Sequence, residues 1–250
     1  MVSRKDIQAT CDDIVREFAP LQIILFGSYA YGMPSECSDV DLLVVMPVAK
    51  SETRRQASEI RERIPRRFSM DILVRSPEEI AYRISHNDWF LREVTEKGEV
   101  LYESEDFYVK PHKRENTEMN PITLEWIEKA EGDYSVAREN QQGQNPVYHV
   151  ICFLAQQCTE KYLKAWLQEN NTPIQRTHNL EELLNLILPT IPAWDAWKSD
   201  MSKLSEHAVE TKYLGTSPTA ADAEHAMQTC EMVRQAVRAQ LKLPIKENAN

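Results

Sequence analysis

The sequence predicts an α+β chain, a small domain of strands and helices followed by an all-α bundle of up-and-down helices. Three observations predict it. Short runs of branched residues are confined to the first hundred positions, a polar stretch with little periodicity follows, and long apolar stripes of helical period fill the rest. At 250 residues, with 27% charged and 42% apolar side chains, the chain has ordinary globular composition and room for one large domain or two modest ones.

Residues 4–18 place Ile7, Cys11, Ile14, Val15 and Phe18 at helical spacing, and Pro20 stops the helix. The runs LQIILF (21–26), VDLLVV (40–45) and MDILV (70–74) are short, rich in branched residues and bounded by turn or polar residues, which predicts three strands. Between the last two, SETRRQASEIRERI reads as a surface helix capped by Ser51. Ser76 and Pro77 open a further helix, and GEVLYE (98–103) is the last strand. Beyond the polar stretch, helices are expected over 121–142, 147–169, 178–188, 192–212 and 219–242, parted by breaks containing Gly or Pro at 143–146, 170–173 and 215–218. The second of them aligns Ile151, Leu154, Ala155, Cys158, Tyr162, Ala165 and Trp166 on one face, the pattern of a core helix. The expected organisation is therefore a first domain over 1–103, a linker over 104–119, a helical bundle over 120–243 and a tail over 244–250.

Charge and cysteine usage exclude several classes. With 29 basic against 39 acidic residues the net charge is −10, so nothing steers the chain as a whole toward nucleic acid or anionic membrane. No apolar run approaches the roughly 18 residues a membrane helix needs, and the first 18 residues lack the apolar centre of a secretory signal, so a cytoplasmic location is expected. Five cysteines without a C-x-x-C spacing argue against a disulfide framework or a zinc cluster. Arg54, Arg55, Arg61, Arg63, Arg66 and Arg67 are interleaved with Glu52, Glu59 and Glu62 and read as a solvated helix face. Trp126, Trp166, Trp194 and Trp197 read as core or interface residues.

The most informative stretch is ILFGSYAYGMPSECSDVDLLVV. A strand ends in Gly27 and Ser28, and after ten intervening residues Asp39 and Asp41 open the next strand. Strand alternation aims both carboxylates at one side of the sheet, with Val40 and Leu42 on the other. Like charges beside a Leu and Val run are unfavourable without a compensating cation, and clustered carboxylates suit Mg²⁺. Asp71, inside the third strand, would complete a two-metal site for phosphoryl chemistry if its strand lies beside that of the pair. Gly27 allows close backbone approach and Ser28 supplies a hydroxyl, which is what a triphosphate needs.

This pattern of Gly27, Ser28, Asp39, Asp41 and strand-borne Asp71 resembles the minimal nucleotidyltransferases of the DNA polymerase β-like superfamily over residues 3–103. The resemblance implies a short mixed sheet flanked by helices, bound Mg²⁺, and transfer of a nucleoside monophosphate from an NTP, ATP first, with release of pyrophosphate. It assigns Gly27 and Ser28 to the triphosphate, Asp39 and Asp41 to metal, and Asp71 to the second metal and to the proton of the attacking hydroxyl.

In the helical half, LAQQCTEKYLKAWL (154–167), RTHNLEELL (176–184) and AVETKYLG (208–215) resemble the HEPN domain, the similarity covering residues 120–242. Some HEPN domains are RNases with an Arg and a His four to six residues apart. No Arg stands at that offset before His86, His112, His149, His178, His207 or His225, which favours binding of substrate or pairing into a homodimer. His178 reads as a capping or packing residue, and Tyr213 falls near the functional face of such bundles, where packing is the simpler role. The leading expectation is an enzyme acting on a hydroxyl acceptor, either a small molecule or a protein tyrosine. Two others stand beside it: a single-chain toxin and antitoxin whose first domain adenylylates the second, at a residue such as Tyr213, and a catalytically silent nucleotide-binding module.

Overall fold

The structure, a computed structural model, describes residues 1–32, 34–35, 38–105, 107, 119–174, 177–210 and 217–244, the side chains of 207–210 excepted. Cys37, most of the expected linker, Arg176, Tyr213 and nearly all of the tail lie outside the described residues. The chain divides into two compact units, Met1–Asn116 and Thr117–Asn250.

The first unit is a four-stranded mixed sheet between two helical layers. Helix α1 (Arg4–Phe18) begins at the Ser3 cap, whose hydroxyl accepts from the Asp6 N–H, and ends at Ala19 in a left-handed conformation just before Pro20. Strand β1 (Gln22–Phe26) leads into the single helical turn α2 (Ser28–Tyr31), and β2 (Val40–Val45) follows. Helix α3 (Thr53–Arg63) comes next, then β3 (Met70–Arg75), α4 (Pro77–Ser85), α5 (Trp89–Lys97) and β4 (Glu99–Glu103). The strand order is β3-β2-β1-β4, with β2 antiparallel to β1, β1 antiparallel to β4, and β2 parallel to β3.

Alternation along the strands gives each sheet face its own core. Ile23, Leu25, Val40, Leu42, Val44, Ile72 and Val74 pack on Ile7, Cys11 and Ile14 of α1 and on Ala57 and Ile60 of α3. The other face, carrying Ile24, Phe26, Leu43 and Val45, packs on Ile80 of α4 and on Leu91 and Val94 of α5. Gly98 is needed where α5 hands over to β4: a Cβ there would lie 2.3 Å from the Val94 carbonyl oxygen and 2.5 Å from an Ile24 methyl.

One local expectation is corrected. Ser51 is not a cap, because residues Lys50–Glu52 form a 3-10 turn and the α-helix starts only at Thr53, whose hydroxyl donates to the Lys50 carbonyl at 3.0 Å. Ser76 and Pro77 open α4 as expected, and a second helix, α5, follows it. Asn87 takes a left-handed conformation (φ 56°) and Asp88 caps α5 through the Leu91 N–H, so the chain turns there.

The second unit is helical: α6 (Pro121–Gln142), α7 (Tyr148–Glu169), α8 (Leu180–Ile187), a 3-10 segment over Pro192–Trp197, α9 (Lys198–Glu210) and α10 (Ala220–Gln240). Helix α7 packs against α6, α8, α9 and α10 and is buried over most of its circumference, which makes it the centre of the bundle. Trp166 and Trp194 lie in this core with their ring centroids 6.3 Å apart, and Trp126 and Trp197 pack against it partly buried. Cys152, Cys158 and Cys230 are buried free thiols here, as Cys11 is in the first unit.

Among the described residues, charged groups enter this core in satisfied sets. Glu131 of α6 accepts from the Tyr162 hydroxyl and from Arg234 (Nε 2.7 Å, Nη2 3.1 Å), while Arg238 donates to the Tyr162 oxygen at 3.1 Å. Glu160 accepts from Lys164 at 2.7 Å and lies 3.0 Å from His178 Nδ1. The expectation that His178 caps a helix fails, since its side chain is 85% exposed and the cap of α8 is Asn179, which accepts from Glu181 and Glu182.

Candidate active site

The site is built where β1 ends and β2 and β3 begin. Gly27, at φ 70° and ψ −154°, occupies a region essentially closed to residues with a Cβ, and it turns the chain straight from β1 into α2. Its carbonyl accepts from the Ala30 and Tyr31 N–H groups at 3.1 and 3.0 Å, which closes the turn that begins with Ser28. The turn is held from behind. The Tyr29 hydroxyl accepts from the Val2 N–H at 3.1 Å, and Arg4 donates to the Tyr29 carbonyl at 3.3 Å.

Asp39 is exposed just ahead of β2, and Asp41 is half-buried inside it. Since Val40 and Leu42 belong to the core under α1 and α3, Asp41 shares the opposite face with Leu43 and Val45. In the parallel pairing Asp41 is the register partner of Asp71, so the two carboxylates stand side by side on that face. On its other flank Asp41 is the register partner of Phe26, the residue before Gly27. The expected condition for a third acid, a strand adjacent to the pair, is met.

What the structure does not show is a closed ligand cluster. Among the described residues no group of three or more His, Cys, Asp or Glu side chains is gathered closely enough to hold a metal ion. The Asp71 side chain is 73% exposed on an edge strand, with its Oδ1 3.8 Å from Arg61 Nη2, and Arg61 also donates to the Ile72 carbonyl at 3.1 Å. Like charges on adjacent strands repel, and the guanidinium offers the outer carboxylate a nearer counter-charge.

The nucleotidyltransferase domain family matches residues 9–120, and the HEPN domain family matches residues 123–240. The chain carries a nucleotidyltransferase domain followed by a HEPN domain. Two solved structures resemble about half of the chain. One is ST0689, an archaeal HEPN homologue, at 27% identity and TM-score 0.40, covering 48% of this chain and 97% of its own. The other is TT1696 from Thermus thermophilus, at 18% identity and TM-score 0.41, covering 47% and 97%. No curated protein matches the chain.

The nucleotidyltransferase domain's donor set is chemically suited to a hard divalent cation, since Asp39, Asp41 and Asp71 offer only carboxylate oxygens. A cavity of about 440 Å³ opens beside Asp39, lined also by Asp6, Tyr29, Ser38, Arg67, Phe68 and Ser69. Its size is that of a small-molecule site, and with Val2, Tyr29 and Phe68 in its lining it opens on the α1 side of the sheet. Arg67 is held there by Asp13 at 2.6 Å, and the hydrogen bond from Arg67, together with its charge, keeps the Asp13 carboxyl below its ordinary value. The solvated-face reading of the arginines fits Arg63, which pairs with Glu59 and Glu17. It missed Arg61 and Arg67, because nothing in a charge run tells which members reach around a strand edge or into a cleft. No helix of the described residues is long and apolar enough to cross a membrane.

Proposed function

We propose that the first domain transfers a nucleoside monophosphate from an NTP, ATP first among them, to a hydroxyl of an acceptor and releases pyrophosphate. The observation that carries this reading is the pairing of Asp41 with Asp71 across parallel strands, beside the turn formed by Gly27 and Ser28. In this reading the Gly27 and Ser28 turn holds the triphosphate, and Asp39, Asp41 and Asp71 hold magnesium. When bound, magnesium supplies charge neutralisation to the phosphates and to the attacking oxygen. The acceptor oxygen attacks the α-phosphorus, the bond from that phosphorus to the bridging β oxygen breaks, and Asp71 takes the hydroxyl proton. Because Asp71 takes its proton, the acceptor hydroxyl lies on the β3 side of the carboxylates in this reading. The HEPN domain contributes acceptor or nucleotide binding, or pairs two copies into a homodimer.

The test uses the full chain with α-labelled NTPs, Mg²⁺ and a panel of hydroxyl acceptors, the chain itself included, read as label transfer and pyrophosphate release. Asp41→Asn should lower turnover by on the order of a hundredfold or more, the scale of losing charge stabilisation worth several kcal/mol. Undiminished label transfer in the Asp39→Asn, Asp41→Asn double variant rejects the assignment.

A further inference from the structure

Phe90 lies in the first turn of α5. The neighbouring Leu91, and Val94 one turn on, are buried in the core against the sheet, yet Phe90 leaves 40% of its surface exposed. Its ring meets the Phe26 ring nearly at right angles, with centroids 5.7 Å apart and an interplanar angle of 83°. Phe26 is in turn the last residue of β1, the neighbour of Gly27 and the register partner of Asp41. Asp41 on β2, Phe26 on β1 and Phe90 on α5 are thus linked step by step away from β3.

A single exposed phenylalanine is ordinary on a protein surface. Its position distinguishes this one, because an apolar ring set one aromatic side chain beyond the carboxylates lies where the rest of a nucleotide must extend. With the phosphates at the Gly27 and Ser28 turn and the acceptor hydroxyl at Asp71 on β3, the nucleoside has the β1 side left to it. We propose that Phe90 is the platform on which the nucleobase of the NTP stacks; this rests on the reading of the domain as a nucleotidyltransferase. Every base presents a π-face, so stacking tolerates base identity. The site should accept all four nucleotides, with the larger purines held more tightly.

The test is equilibrium binding of α,β-methylene ATP and α,β-methylene UTP to the full chain with Mg²⁺, which needs no acceptor, alongside binding of inorganic tripolyphosphate. Phe90→Ala and Phe90→Leu should each raise the Kd of both nucleotide analogues about tenfold, the scale of one lost base stack. Phe90→Tyr should bind as the parent does, and tripolyphosphate affinity should not change in any variant. If the Leu variant folds and binds the analogues as the parent does, or loses tripolyphosphate affinity in equal measure, the platform is refuted while the nucleotidyltransferase reading stands. A parent chain that binds neither analogue overturns both.

Discussion

Replacing Glu131 by Gln tests whether the HEPN domain depends on its buried charge set. Arg234 and Arg238 are each 3% exposed, and Glu131 is the carboxylate that faces both, 2.7 Å from Arg234 Nε and 3.5 Å from Arg238 Nη1. Burial pushes the Glu131 carboxyl up, but hydrogen bonds from Arg234 and Tyr162 and the charges of both arginines outweigh it and bring it from 4.5 down to about 2. At 1.36 kcal/mol per unit, that depression corresponds to about 3 kcal/mol of stability. The sign follows from the folded value lying below the unfolded one: the contribution is complete above about pH 4.5 and is lost as pH falls toward 2. In the Gln variant an amide N–H₂ faces guanidinium donors and the two buried cations lose the carboxylate they share, leaving Arg234 with Glu231 at 3.3 Å, so a loss of about 3 kcal/mol at neutral pH is expected. The assay is urea unfolding followed by tryptophan fluorescence, because Trp126, Trp166, Trp194 and Trp197 all lie in the second unit and only Trp89 in the first. A variant within about 1 kcal/mol of the parent at pH 7, the range of ordinary substitutions, refutes the reasoning. So does a parent that loses no more stability than the variant between pH 4.5 and 2.

Asp71→Asn should leave the fold intact, since the side chain is 73% exposed and its contact with Arg61 is a surface pair worth about 1 kcal/mol at most. NTP turnover should fall on the order of a hundredfold, and unchanged steady-state kinetics would remove Asp71 from the site. Gly27→Ala puts a Cβ on a residue at φ 70° and ψ −154°, so the first unit should lose about 1–3 kcal/mol in urea unfolding followed by circular dichroism. A midpoint equal to the parent's would show that the turn relaxes without strain.

The elements legible in the sequence are those whose signal is local. Val40, Leu42 and Val44 alternate with Asp41 and Leu43, and that alternation alone separates the acid from the core under α1 and α3. The apolar face of α7 is equally plain, because Ile151, Ala155, Cys158 and Tyr162 repeat at helical spacing and all are fully buried. The turn at Asn87 and Asp88 had a readable signal in its turn-forming residues, masked by the apolar period continuing on both sides from Ile80 to Leu91 and Val94. Glu131, Tyr162, Arg234 and Arg238 carried none that could be read: their meeting depends on how α6, α7 and α10 pack, and in the sequence they are separated members of ordinary charged helices.

The same distinction governs the site. Asp39 and Asp41 can be read from one strand, but whether Asp71 stands beside them depends on the parallel pairing of β2 with β3, which no run of residues encodes alone. The sequence therefore offers a conditional, and the sheet order meets the condition. The counter-charge could not be read in the same way. Arg61 follows the buried Ile60 on α3, one turn on from Ala57, and only the edge position of β3 lets its guanidinium reach the Ile72 carbonyl and come within 3.8 Å of Asp71. An edge strand leaves an acid open to solvent, to a cation or to a passing arginine alike. In the proposed reading, placing the third carboxylate at the edge keeps it accessible to an acceptor on the β3 side, whereas a central strand would have enclosed it between neighbours.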